Sequence, residues 1–532
     1  MVSFPHALFK DNIRHYICGE ETAEPMLSRL FRLKSVDHIL QETTETEEKL
    51  NRALTWFDLI LFGMGAIIGA GIFATIGTAV AGDLERPGAG PALTLSFLLT
   101  ALACAFPALC YAEFAAMVPI SGSAYTYSYA TLGEIIAWII GWDLIIEYAI
   151  GNVAVAISWS GYFCDFLAGF GIRFPAWMTT DYRTALQHVN IIEQAPHLFG
   201  APIVFNLPAV AIVALLTVLI LIGIKESSRF NNLLVIVKSL VLAFFVLVGF
   251  FYIKPENYVP FAPNGWAGIH AGSAIVFFAY IGFDAVSTLA EETRDPARDL
   301  PLGIVGSLLV CTIIYILVSI VFSGIIPYET LHKMLASEKA EPLSLAIKYV
   351  ISQDTGQHFS RYFLNSVAAI VAFGAVIANT AVLLVFQIGQ ARIFFSMSRD
   401  GLLPPVFKSV HRRFKTPDFS TIITGIFVAF FAAFMSIDEM VDLCNIGTLF
   451  AFILVCAGII ILRIKEPERK RPFRAPGGLA VPIVGIAACI ALMLGLPALT
   501  WKRFFIWLIV GMFIYLSYGI RSSRLEKQRS SL

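Results

Sequence analysis

Charge is what this chain has least of. Asp, Glu, Lys and Arg make up 14% of its 532 residues, against about 25% in soluble globular domains, and the deficit excludes a water-solvated surface over most of the molecule. The 38 basic and 38 acidic residues cancel. No net field draws in nucleic acid, and no basic stripe with interleaved aromatics is present. The eight cysteines are dispersed, mostly inside apolar runs, without the spacing of a metal site or a disulfide framework. They read as packing residues, and neither a metal nor a cofactor is expected. None of the nine histidines lies at the centre of an apolar run, which argues against an embedded hydrolase or acyltransferase with facing catalytic groups. Nothing resembles a selectivity filter or a charged ring, so a channel is not expected either. The first 57 residues are largely polar and the first long apolar run lacks a cleavage site, so no signal peptide is expected.

What the chain has in excess is apolar sequence: 57% hydrophobic residues and a mean hydropathy of +0.75. A hydrocarbon core of roughly 30 Å needs about 20 apolar residues in a helix. Runs of that order recur at about 58–81, 92–117, 134–163, 207–224, 232–253, 268–290, 302–326, 363–391, 419–435, 441–462, 479–497 and 503–520. They predict an all-α polytopic membrane protein with twelve transmembrane helices and both termini on one side. Lys and Arg gather in alternate loops, at Lys225 and Arg229, Arg294 and Arg298, Arg392 to Lys415, Arg463 to Arg474, and in the tail from Arg521 to Arg529. The positive-inside rule then puts both termini in the cytoplasm of a cell membrane. The acidic run Glu42 to Glu48 reads as a solvated surface helix ahead of the membrane. The long opposite loops, 165–206 and 327–362, contain no cysteine and no N-x-Ser/Thr sequon, and read as modest caps over a mouth.

The first run carries Gly65, Gly69 and Gly71 near its middle. Glycine costs about 1 kcal/mol relative to alanine in a helix, so the helix is expected to break there. Lipid cannot satisfy unwound backbone, which is tolerated only where it is buried in protein or lines a cavity. The competing reading is a GxxxG face, Gly65 and Gly69, for close helix packing. A second interruption, Phe277 to Asp284 with Gly282, lies five runs later. Paired breaks in corresponding positions of two halves point to an inverted-repeat transporter with its site at the bilayer midplane. The expected organisation is a cytoplasmic segment 1–57, repeats 58–253 and 268–462, two added helices within 479–520, and a cytoplasmic tail 521–532.

Chain direction assigns the chemistry. The half-helix after the first break begins at Gly69, Ala70 and Gly71, whose N–H groups suit a carboxylate. Carbonyls freed at Ala66 and Ile67, and at Phe278, Ala279, Tyr280 and Ile281, suit an ammonium group. Together they describe an α-amino acid zwitterion. Phe283, beside Gly282, is the aromatic best placed to close over it. Glu147 lies about 20 Å into the third run on a 1.5 Å rise, too deep for easy escape to water, with Asp143 one turn earlier. Lys238 has two readings: snorkelling to the interface, or pairing with a carboxylate or with the first run's freed carbonyls and changing protonation during transport. Asp284 reads first as a cap of its half-helix, second as a substrate or proton group. Asn379 in the eighth run either lines the cavity or bonds between helices.

With these residues in hand, the chain resembles the amino acid/polyamine/organocation superfamily and, within it, the cationic amino acid transporter group. The stretches that carry the likeness are GAIIGAGIF at 65–73, FFAYIGFDAVSTLAEETRDPARDLP at 277–301, ARIFFSMSRDGLLP at 391–404 and FRLKSVDHIL at 31–40. The resemblance spans about residues 30 to 520. It implies a five-plus-five inverted repeat with discontinuous helices one and six, importing an L-amino acid by alternating access. It places the carboxylate site on Gly69 to Gly71, the ammonium site on Ala66, Ile67 and 278–281, and the aromatic gate on Phe283. Lys238 falls where sodium-independent relatives carry a fifth-span lysine, which favours proton coupling, and Glu147 matches a third-span glutamate. The departure is polar Asn379, where an apolar residue is expected. The group includes carriers of small neutral amino acids, so the side chain of the substrate stays open. Exchange of amino acids or polyamines, and amino acid sensing, are the alternatives to proton symport. The expected partners are substrate, H+ and the lipid bilayer, with no nucleic acid.

Overall fold

The computed structural model describes residues 32, 52–119, 123–223, 228–337, 341–353, 360–414 and 416–524. Segment 31–40 apart from Arg32, the acidic run 42–48, Lys225, Lys415, Lys527 and Arg529 lie outside them.

Each expected apolar run coincides with a helix. The first comprises α1 (Trp56–Ile67), α2 (Ala70–Phe73) and α3 (Thr75–Ala81). It is followed by α4 (Leu93–Met117) and a short α5 (Ser123–Thr131). The third run is α6 (Glu134–Ile145), a π-helical turn Ile146–Ile150 and α7 (Gly151–Ala168). Next come α8 (Leu207–Ile222) and α9 (Ser228–Phe250). The sixth run is α10 (Gly265–Val276) continued by 3-10 turns Phe277–Tyr280 and Phe283–Glu292. The remaining helices are α11 (Pro296–Ile325), α12 (Tyr328–Ser337), α13 (Pro342–Gln353), α14 (Arg361–Arg399), α15 (Asp418–Phe434), α16 (Ile437–Lys465), α17 (Ala480–Met493) and α18 (Ala498–Ile514).

Among the described residues, eight helical stretches are long and apolar enough to cross a membrane, and four shorter apolar helices, Trp56–Ile67, Leu207–Ile222, Asp418–Phe434 and Ala480–Met493, stand among them. Their outward faces are apolar: Leu215, Leu240, Leu247, Leu309, Ile509 and Phe513 are all more than half exposed. A water-soluble monomer rarely shows so continuous an apolar surface; a lipid-facing bundle requires it.

Helix ends follow local chemistry. Asn206, Ser360 and Ser436 each accept an N–H of the first turn of α8, α14 and α16, replacing bonds that a helix start cannot make internally. Gly223 closes α8 in the left-handed conformation, φ +84°. The seventh run, expected over about 302–326, begins its helix earlier: Asp295 is the capping residue of α11, Pro296 opens it, and Pro301 lies inside the helix. One continuous core runs through the bundle. The loop after α7 has a small cluster of its own, around Ala185, Ala195 and Val204. The most extensive pairings join α11 to α4 and α1, and α7 to α14.

Candidate functional site

The first run breaks where its glycines are. Helix α1 ends at Ile67, Ile68 turns to an extended conformation (φ −77°, ψ 99°), and Gly69 (φ −155°, ψ −144°) leads into α2. Among the described residues, the N–H groups of Gly69, Ala70 and Gly71 have no protein acceptor. The carbonyls on the near side are partly taken. Lys238 donates its Nζ to the carbonyls of Gly65 at 2.6 Å and Ile68 at 2.8 Å. Tyr315 of α11 donates its hydroxyl to the Ile67 carbonyl at 3.1 Å.

Two expectations are settled by these bonds. Lys238 is fully buried and bound to the break, so it does not snorkel. The Ile67 carbonyl is not free, because a tyrosine 248 positions away reaches it. The Ala66 carbonyl lies against Gly282.

In the sixth run, Ile281 is extended and Gly282 takes φ +115°, a region that L side chains avoid at a cost of about 1–2 kcal/mol. Outside their own turn, the carbonyls of Ala279, Tyr280 and Ile281 receive no protein hydrogen bond among the described residues. The two breaks cross each other. A Cβ on Gly71 would strike the backbone of Ala279, and one on Gly282 would lie 3.0 Å from the carbonyl carbon and oxygen of Ala66. Glycine is therefore needed twice for close approach, as well as for conformation. Gly71 of the first break thus lies against the Ala279 backbone of the second, and the Ala66 carbonyl of the first against Gly282.

The side chains sort by direction. Tyr280 turns away from the crossing: its hydroxyl donates to the Phe97 carbonyl at 3.0 Å, and its ring packs on Phe97 and Tyr315. Phe278 is buried at the crossing level. Phe283 is wedged between Tyr111 and Phe452, with ring centroids 6.0 Å and 5.0 Å away. Asn379 donates to Ser158 Oγ at 2.9 Å, and its own side-chain oxygen has no partner among the described residues. Val382, one turn along α14, meets Gly69, so this face of α14 adjoins the break.

Three buried carboxyls complete the neighbourhood. Asp284 stands in the first turn of its half-helix, whose capping position is Gly282; its carboxyl oxygens make no hydrogen bond of ordinary geometry among the described residues, but they lie by the backbone N–H groups of Gly282, Asp284 and Ala285. Glu147 sits in the π-helical turn, and such bulges are frequent at functional sites. Its Oε2 is unpaired, and Cys444 of α16 donates to its backbone carbonyl at 3.5 Å. Asp143 is buried one turn earlier, 3.0 Å from where a Cβ on Gly447 would lie.

Sequence reasoning missed Tyr315, Tyr111 and Val382. A lone tyrosine in the middle of an apolar run, as Tyr315 is, needs a buried acceptor for its hydroxyl, and that was the available signal.

Residues 54–515 match the family described as amino acid permease. The chain is 45% identical over 503 residues to the branched-chain amino acid permease BcaP of Bacillus subtilis, covering 94% of this chain and 100% of that one. It is 43% identical over 506 residues to the methylthioribose transporter of Bacillus subtilis, covering 94% and 100%. It is also 36% identical over 451 residues to the vacuolar cationic amino acid transporter 4 of Arabidopsis thaliana, covering 83% and 68%.

Proposed function

Because the chain belongs to the amino acid permease family of the amino acid/polyamine/organocation superfamily, whose relatives named above are transporters and not enzymes, we propose that it imports an L-amino acid by proton-coupled alternating access. The observation that carries this reading is the crossing of the two breaks, where the amides of Gly69, Ala70 and Gly71 have no protein acceptor among the described residues. A buried amide without a partner costs about 1–3 kcal/mol. A substrate carboxylate supplies the missing acceptor with charge-assisted bonds. The substrate ammonium is held by the carbonyls of Ala66 and of Ala279 to Ile281, with the second lone pair of Ile67 available beside Tyr315.

Phe278 and Phe283 flank the ligand in this reading, Phe283 as the gate. Asn379 faces the substrate side chain, its oxygen accepting from a donor there. Lys238 and Glu147 carry the coupling. When Lys238 gives up its proton, its bonds to the Gly65 and Ile68 carbonyls lose their charge assistance and weaken, which ties the shape of the first break to protonation. The twelve helices all cross the membrane, with repeats at 58–253 and 268–462, two additional helices within 479–520, and the termini in the cytoplasm of the cell membrane.

The test is uptake by the purified protein in liposomes, with internal pH recorded. Branched-chain amino acids, cationic amino acids and methylthioribose, the substrates named for its relatives, form the panel. Acidification on substrate entry supports symport. Uptake that requires internal amino acid and moves no proton replaces it with exchange, and binding without flux replaces it with sensing. A thermal-shift screen identifies the ligand first, since a compound that binds only the folded state raises its stability.

A further inference from the structure

At the end of the bundle opposite Arg32 and Ser523, which meet at Glu134, the first broken run finishes in a tight turn. Gly82 takes φ +82°. The Asp83 carboxylate accepts the backbone N–H groups of Glu85 at 2.9 Å and Arg86 at 2.7 Å. The same carboxylate accepts the Arg86 guanidinium at 2.9 and 2.6 Å. The turn thus holds its arginine in one orientation. Its remaining arm donates through Nη1 to Asp442 of α16 at 2.7 Å, and both partners are buried.

Asp442 is the middle of three polar residues on one face of α16. One turn earlier, Asp438 accepts the hydroxyl of Thr78 on α3 at 3.2 Å. One turn later, Asn445 donates to the Ala274 carbonyl of α10 at 2.8 Å. Further along, Phe452 packs on Phe283. A single helix face therefore holds the far half of both broken runs by polar contacts, and the site itself by aromatic ones.

A buried ion pair is a weak source of stability compared with apolar packing, but it is specific in register. At a membrane rim, water can solvate the separated charges, so such a contact can open and close repeatedly. The ion pair at the other end of the bundle differs. There Glu113 takes Arg463 and the N–H of Ala475 at 2.8 Å, and it ties α4 to α16, neither of which is broken. That pair braces the frame; the Arg86 pair fastens a part that alternating access must move.

We propose that Arg86, clamped by Asp83 and bonded to Asp442, is the lock that keeps the first broken run closed against α16 on the face opposite Arg32 and Ser523. This rests on the transport reading above, and its test requires no substrate. Thr75 is buried one turn deeper than Thr78 on the same side of α3, so the Thr75→Cys variant serves as a reporter behind the lock. In nanodiscs, where both faces are open to reagent, maleimide labelling is followed by mass spectrometry at that position and at native Cys104, which is buried in α4 away from the lock.

Adding Arg86→Gln or Asp442→Asn should raise the reporter's labelling rate by about tenfold, the scale of a two-state equilibrium shifted by one polar contact, with Cys104 unchanged. The exchanged pair Arg86→Asp with Asp442→Arg should restore slow labelling. An unchanged reporter overturns the proposal. A parallel rise at Cys104 shows general loosening and overturns it equally. If the rates shift as expected while no member of the panel is taken up, the transport reading fails and the lock stands.

Discussion

The two broken runs meet the same demand by different means. In the first, the chain goes extended through Ile68 and Gly69, and the carbonyls released at Gly65, Ile67 and Ile68 are satisfied by Lys238 and Tyr315 from α9 and α11. In the second, 3-10 turns lie on either side of the corner, and left-handed Gly282 makes it. The first break therefore depends on side chains 170 or more positions away, whereas the second depends on one backbone conformation. A titratable group stands at each break, but of different kinds: Lys238 reaches the first from another helix, whereas buried Asp284 belongs to the turn of the second itself. The proton coupling proposed above would act on the first break through bonds between helices, and on the second only within its own turn.

The largest effect should come from the contact the two breaks share. Gly71→Ala drives a Cβ into the Ala279 backbone, which cannot rotate aside. Overpacking of this kind costs about 1–3 kcal/mol, and the substrate-induced thermal shift should disappear. Retained binding would mean that the breaks can slide apart. Gly282→Ala should follow, with about 1–2 kcal/mol of left-handed strain added to its contact with Ala66. Denaturant or thermal unfolding should rank it below Gly71→Ala and above any change at the first break's side-chain partners.

Lys238→Met and Tyr315→Phe separate coupling from support. The first leaves two buried carbonyls without their donor, at about 1–3 kcal/mol, and the second removes one neutral bond worth about 0.5–1.5 kcal/mol. Uptake in the lysine variant should lose its pH dependence, whereas the tyrosine variant should keep the wild-type profile at reduced stability. A lysine variant whose profile is unaltered would falsify the coupling role. The smallest effect on stability is expected from Asn379→Met, which should instead move substrate preference towards apolar side chains in a competition assay. An unmoved preference would leave Asn379 as an interhelical bond to Ser158 alone.

The readable parts of the molecule were those whose causes are local. Apolar runs marked the long helices, because a chain must satisfy its own backbone in lipid, though not the short α5, α12 and α13, and glycines marked both breaks. Pro296 shows the resolution of such reading: the helix starts there, ahead of the apolar run expected from about 302. Asp284 shows its failure. Its position beside a half-helix start suggested a cap, but the capping position itself falls on Gly282, two residues earlier, and Asp284 stands inside the first turn. The π-helical turn around Glu147 carried no sequence signal, since one extra residue in a turn leaves the apolar pattern intact.

By itself, the sequence determined the membrane class, the helix positions, the two breaks and the family, because hydropathy, glycine placement and motif are properties of neighbouring residues. Only the tertiary structure decided who occupies the freed carbonyls. Lys238 and Tyr315 reach the first break, Gly71 lies over Ala279, and Arg86 finds Asp442. These are contacts between segments far apart in the chain, and whether a polar group finds its partner across such distances is set by how helices pack.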